Sequence, residues 1–226
     1  MNRPFGYVQT SIGHKVIVAL SGLLLAAFVV FHMLGNLQVF QGAAALNGYA
    51  AVLRDMPLLL WTARLGLLGL VGMHLVIGVR LAQRNRRARP EGYAARTYRR
   101  ASFASRTMAA SGMLLILFII FHILHLTVGV VDHTFVEGVD GRGQRDVFGK
   151  VVHAFQNPLY VTIYLAAQAV LGLHLSHALS SSFQTLGLEH PLLDRLFRGT
   201  GPVVAGFVVV GNIVIILAIA SGVVRA

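Results

Sequence analysis

MLLILFIIFHILHLTVGV, residues 113–130, runs for eighteen residues without a charged side chain and still carries two histidines, His122 and His125. About 20 apolar residues cross a bilayer core, and lipid leaves unpaired any backbone group outside a helix or a closed barrel. The stretch therefore predicts a membrane-spanning helix. Ionisable groups at that depth are expensive and mark function, so the two imidazoles decide what kind of membrane protein this is.

The rest of the chain agrees. Of its 226 residues 56% are hydrophobic and 12% charged, against roughly a quarter charged in soluble domains, and the mean hydropathy is +0.71. There is no cysteine, which excludes disulfides, thiolate metal sites, thiol-bound Fe–S clusters and covalent haem attachment through Cys-x-x-Cys-His. The first apolar run follows Lys15 at full spanning length, with no small-residue cleavage pattern, so no cleavable signal peptide is expected. A net charge of +11 would suggest nucleic acid for a soluble protein. Here it reports topology, and nucleic acid is not an expected partner.

Five spans are predicted, near 15–37, 58–81, 107–130, 159–182 and 203–223. Pro57, Pro158 and Pro202 are each expected at the start of a span, where a missing N–H costs least. The segment 80–106 holds nine arginines and one glutamate, so it is expected on the cytoplasmic side, bound to anionic lipid. That puts the N-terminus inside and the loops 38–57 and 131–158 outside. Nearly all the mass lies in the membrane, in a single membrane domain whose loops are too small for a separate catalytic unit.

The chain also repeats itself. SGLLLAAFVVFH (21–32) matches SGMLLILFIIFH (111–122) at an offset of 90, and GMHL (72–75) matches GLHL (172–175) at an offset of 100. The region 15–81 is thus duplicated in 107–182, and a fifth helix follows. Leu and Val align with anything; the coincident Ser-Gly and Phe-His pairs carry the weight.

All eight acidic residues fall outside the predicted spans, whereas His32, His74, His122, His125, His174 and His177 fall inside. Proton and cation pathways pair histidine with carboxylate, so this distribution argues against a pump or transporter. A lone intramembrane histidine often only hydrogen-bonds a neighbouring helix, but one per helix over four helices fits a metal or haem iron better. The repeat pairs His32 with His122 and His74 with His174; His125 and His177 correspond to Gly35 and Ile77. At 1.5 Å rise per residue all four paired histidines lie roughly 8–12 Å from a helix end. His32 and His122 share the outer half, His74 and His174 the inner half, as two bis-histidine b-type haems stacked across a bilayer would require. Four-helix bundle cores hold such sites. Gly22 and Gly112, ten residues before His32 and His122, lie at the inner level and leave room for a porphyrin face; Gly66 and Gly69 do the same at the outer level. Small residues are also common at plain helix contacts. Arg64 either snorkels to the interface or pairs with a haem propionate. His125 and His177 sit one turn past a proposed ligand, as partners for a propionate, a quinone or another helix.

SIGHKVIVALSGL, FHMLGNLQVF, GMHLVIGVRLAQRNRRARP, ASRTMAASG, FHILH, FQNPLYV and LHLSHALSSSFQTLGL, in this order through practically the whole chain, resemble the cytochrome b558 family. These are the dihaem membrane anchors of succinate dehydrogenase and fumarate reductase. The resemblance implies an all-α integral membrane fold, with a four-helix dihaem bundle plus a fifth helix in the bacterial cytoplasmic membrane. Motif by motif it makes His32 and His122 the axial ligands of an outer haem b and His74 and His174 those of an inner one. It implies a FAD flavoprotein and an iron–sulfur subunit docked on the cytoplasmic face. Electrons would pass from them to membrane quinone, menaquinone or ubiquinone, and a higher oligomer of the complex is compatible with this. The dicarboxylate chemistry would belong to the partners. The loop 131–158 is longer than in compact members, and a lid over an outer quinone site is the role it suggests. The competing readings are a haem b subunit of a hydrogenase or formate dehydrogenase, and a transporter using histidine relays.

Overall fold

A computed structural model describes residues 10–88, 102–132, 138–188 and 194–226. Much of the basic segment, 89–101, and the acidic residues Glu91, Glu137 and Glu189 lie outside the described residues. The described chain is helical, with a lone bridge between Val139 and Arg145. Five helical stretches are long and apolar enough to cross a membrane, namely Ser11–Gln41, Pro57–Arg87, Met108–Val128, Pro158–Thr185 and Leu196–Ala220. Leucine and phenylalanine side chains such as Phe31, Leu65, Leu117 and Leu159 stand exposed along them, as lipid-facing positions must. This is the architecture of a multi-pass membrane protein.

Helix α1 (Ser11–Asn36) starts at Thr10, whose side chain accepts the Gly13 N–H at 3.0 Å. Because α1 begins four residues before the predicted span, His14 also lies within it, and Arg84 approaches its Nδ1 at 3.5 Å. A 3₁₀ turn (Leu37–Gln41) carries on to Gly42, whose φ of +88° only glycine adopts readily. Helix α2 (Ala43–Arg54) leads to α3 (Pro57–Arg87), and Pro57 opens α3 at its first turn as expected. The short α4 (Phe103–Arg106) precedes α5 (Met108–His122), which continues through Ile123–Val128 as a wider π turn. Gly129, at φ +83°, stops it, and a side chain there would meet the Lys150 ammonium, 2.9 Å from its Cβ. Helix α6 (Val147–Ala154) sits in the long loop, and α7 (Pro158–Thr185) again opens on its proline, capped by Asn157.

Helix α8 (Asp194–Ala220) corrects the expectation for Pro202, which lies inside the helix rather than at its start. The apolar run misleads because α8 begins with the polar turn DRLFRG. Proline cannot donate to the carbonyl four residues back, here Arg198, and the Ser180 hydroxyl of α7 donates to that oxygen at 2.9 Å instead. Hydroxyls re-satisfy proline-freed carbonyls in this way in membrane helices. Gly201 brings α8 close, since a Cβ there would run into the Ser176 carbonyl and the Ser180 hydroxyl.

Helices α7 and α8 form the most extensive pair. Helix α1 packs on α3 and α7, α5 packs on α7, and α3 touches α5 lightly. Neighbours thus alternate around α1, α3, α5 and α7, which leaves α1 across from α5 and α3 across from α7. Asn212 of α8 donates to Gln168 of α7 at 3.0 Å, a buried polar clasp within the membrane span.

At the end away from the arginines, the connecting helices α2 and α6 pack on each other. Asn47, with 0% of its surface exposed, joins them. Its amide donates to Asp140 and Asp146, both at 3.1 Å, and its carbonyl accepts the Phe148 N–H at 2.9 Å. The Gln144 N–H foremost, and then that of Arg142, hold the Asp140 carboxyl below its ordinary value. The turn's stabilisation is therefore complete above the ordinary carboxylate range and fades as pH falls through the depressed value. Replacing Asn47 by Ala strands the buried Phe148 N–H and is expected to weaken the cap by about 1–3 kcal/mol. Amide exchange across 138–154 should accelerate roughly five- to hundredfold, while the spans keep their protection.

Candidate functional site

The repeated Ser-Gly pair acquires a physical meaning at the arginine-bearing end of the helices. Ser21 Oγ lies 2.9 Å from His74 Nδ1, and Ser111 Oγ lies 3.0 Å from His174 Nδ1. A Cβ on Gly22 would meet His74 Cε1 at 3.2 Å, and one on Gly112 would meet His174 Cε1 at 3.3 Å. Each ring thus lays its Nδ1–Cε1 edge on a serine–glycine step of the next helix. At both glycines the nearest side chain is an imidazole, and Gly22 also lines the cleft beside it.

The serines bear on the tautomers. Ser21 Oγ lies 2.7 Å from the Ile17 carbonyl, and Ser111 Oγ 3.1 Å from that of Met108. A hydroxyl has one hydrogen; with that hydrogen on the carbonyl, the serine oxygen accepts from Nδ1–H. The lone pair of each ring is then on Nε2, the arrangement in which a second partner orients a metal-ligating histidine. Both rings line one cleft with Lys15, Gly22, Ser182 and Thr185, open on one side.

The other pair is built differently. His32 and His122 meet edge to face with ring centroids 5.8 Å apart, across the bundle from α1 to α5. His32 stacks on Phe28 at 5.5 Å. His122 Nδ1 lies 3.2 Å from the Tyr164 hydroxyl, and His125 Nδ1 lies 3.1 Å from the same oxygen. Tyr164 and His125 are buried in a cluster with Phe118, Phe121, Phe155 and Tyr160, and the cap residues Phe148 and Val152 close it off. The π turn starts just after His122, and such turns recur at functional sites.

Each residue singled out from the sequence has a place. The structure brings His32 to His122 and sets His74 and His174 on one cleft. His125 joins the first pair through Tyr164. His177 lies one turn beyond His174, half-buried, and makes no hydrogen bond among the described residues. Arg64 is exposed and lies over the Trp61 ring at 5.1 Å, a cation–π contact within one helix. Gly66 and Gly69 face open space, with nothing within 4 Å of an added Cβ. The sequence reading missed Ser21, Ser111 and Tyr164 as histidine partners. The two serines were visible as a repeated dipeptide; Tyr164 had no repeat signal, since its counterpart at the offset of 100 is Arg64.

Comparison with protein-family models, with curated proteins and with solved structures finds no match for this chain.

The notches predict a graded response to added bulk. Gly22→Val and Gly112→Val should each push an imidazole off its serine and lower stability by about 1–3 kcal/mol, the usual cost of overpacking. Gly66→Val should leave the melting temperature in detergent within a degree or two of the parent. Equal melting of all three variants would show that the notches carry no packing.

Proposed function

We propose that this chain is the dihaem cytochrome b subunit that anchors a succinate:quinone oxidoreductase in the bacterial cytoplasmic membrane. The observation that carries the dihaem part is the pairing of four intramembrane imidazoles into two sets. Each set draws one ring from each half of the repeat and lies at its own end of the helices. Helices α1, α3, α5 and α7 would form the haem bundle, with α8 packed outside on α7. The family motifs carry the rest of the reading: succinate dehydrogenase or fumarate reductase as the parent enzyme, and menaquinone or ubiquinone as the acceptor or donor.

The donor set suits the group. A haem iron takes two axial ligands from protein, and neutral imidazole is a common choice. His74 and His174 would hold the inner haem through Nε2, each Nδ1–H being bound to a buried serine. His32 and His122 would hold the outer one, with Tyr164 behind His122. Lys15 lines the inner cleft, where its ammonium would meet a propionate. Bound haem supplies reversible one-electron oxidation and reduction of its iron. The chain's own residues fix the rings, keep water from the Tyr164 cluster, and set the two pairs in series across the membrane.

The arginines Arg80, Arg84, Arg86, Arg87 and Arg106 mark the inner end by the charge rule. That end would receive a FAD flavoprotein and an iron–sulfur subunit, with electrons passing inward to outward or the reverse between them and quinone. The subunit would thus be the quinone-reactive part of the enzyme and carry no dicarboxylate site.

The purified complex should give two haems b per chain in a pyridine haemochrome assay. His32→Ala or His122→Ala should each remove one haem and leave the other. His74→Ala or His174→Ala should remove the second in the same way. A chain with no haem would sink the proposal, and co-purification without a FAD-containing partner would reassign the parent enzyme.

A further inference from the structure

Tyr164 is the one phenol placed between two imidazoles among the described residues. Its oxygen lies 3.2 Å from His122 Nδ1 and 3.1 Å from His125 Nδ1. It is 4% exposed and His125 1%, so water offers neither group a substitute partner. A phenol has one hydrogen to donate and its oxygen can accept as well; the arrangement that satisfies the buried O–H and both ring nitrogens runs the two contacts in opposite senses.

We infer that Tyr164 is a positioning residue for the outer haem ligand, accepting the Nδ1–H of His122 and donating its own proton to Nδ1 of His125. The inference rests on the dihaem reading, because that reading fixes the sense of the chain. A ring that binds iron through Nε2 carries its hydrogen on Nδ1. His122 is then the donor and the Tyr164 oxygen the acceptor, which sends the O–H to His125. The opposite sense would place a hydrogen on His122 Nε2, where the ligand lone pair is required. With its Nδ1 accepting, neutral His125 holds its hydrogen on Nε2. That nitrogen is the one buried side-chain polar atom without a hydrogen-bond partner among the described residues. The chain of three groups thus ends in a buried N–H with no acceptor among the described residues.

Packing holds the chain in register. Tyr160 lies 4.2 Å from the His125 ring, Phe118 meets Tyr164 edge-on at 5.2 Å, and Phe155 does so at 4.9 Å. The hydroxyl cannot swing to a third partner. The inner pair differs, since each of its rings rests on a serine whose own proton goes to the backbone. In the outer pair only His122 has such support, and His32 rests on the Phe28 face. A hydrogen bond from Nδ1–H makes a ligand more basic and favours the ferric state, so this contact depresses the potential of the outer haem.

Tyr164→Phe in the full complex tests the assignment, read by redox titration of the absorbance bands and by EPR of the low-spin ferric signals. Both haems should remain. One should rise in potential by the equivalent of roughly a tenfold change in its ferric-to-ferrous ratio, about 59 mV for one electron. The largest g-value of that same haem should move while the other haem stays put. His125→Leu, which removes the acceptor of the Tyr164 proton, should shift the same haem in the same direction by less. Two bound haems with unchanged potentials and g-values in Tyr164→Phe would overturn the assignment. If that variant does not assemble, ¹⁵N spectra of histidine-labelled wild type decide: His125 protonated on Nε2 supports it, and His125 protonated on Nδ1 overturns it. A wild-type complex without haem would instead overturn the dihaem reading itself, before any variant is made.

Discussion

A neutral imidazole has one N–H and one lone pair, and in a membrane core each must meet a partner or cost free energy. The structure is arranged around that constraint. Three ordinary side chains, Ser21, Ser111 and Tyr164, take up one nitrogen on each of His74, His174 and His122. The supporting groups are themselves satisfied, the serines by backbone carbonyls one turn back and the tyrosine by His125. On these three rings Nε2 is the nitrogen that remains, whereas His32 has only the Phe28 ring against it.

The duplication is kept at one end of the molecule and broken at the other. At the arginine end the serine, the glycine and the histidine recur in both halves with nearly the same distances. At the opposite end the counterpart of Tyr164 is the exposed Arg64, and the counterpart of His125 is Gly35. A Cβ on Gly35 would sit 2.9 Å from the Tyr49 hydroxyl. The two connecting helices α2 and α6 occupy equivalent positions in the repeat, yet they close over that end together, tied by Asn47. Divergence is concentrated where the cap buries Tyr164 and His125. A functional difference between the two histidine pairs therefore has a structural seat, and it lies at the capped end.

The sequence carried the spans, the repeat and the histidine pairing, because all three are written in residue type and spacing. Apolar length predicts a membrane helix almost regardless of context. The offsets of 90 and 100 matched His32 with His122 and His74 with His174 before any contact was known. Pro202 escaped because α8 begins a polar turn ahead of its apolar run, at Asp194, and the carbonyl it frees finds its donor only on another helix, at Ser180. Tyr164 escaped for a similar reason: one phenol among six tyrosines has no pattern until the fold brings it between two rings. Ser21 and Ser111 are intermediate. Their recurrence was legible, but only the approach of α3 and α7 turns a small hydroxyl into an imidazole partner.

Helix α3 shows what the protein chain alone leaves unfinished. It is 31 residues long and none of them is fully buried, although it carries His74 and leans on α1. Gly66, Gly69 and Gly72 lie along it with open space beyond each. A membrane helix gains little from hydrophobic burial, since lipid is as apolar as leucine, and depends instead on close packing and polar contacts. The Ser21–His74 bond supplies one such contact, and the light touch on α5 adds little. Under the dihaem reading a bound cofactor would add contacts to α3 through His74, so ligand binding and helix association would become one event. Ligands that bind only the assembled state stabilise it by mass action. Such a helix can be sparsely packed by protein and still be held firmly in the loaded molecule.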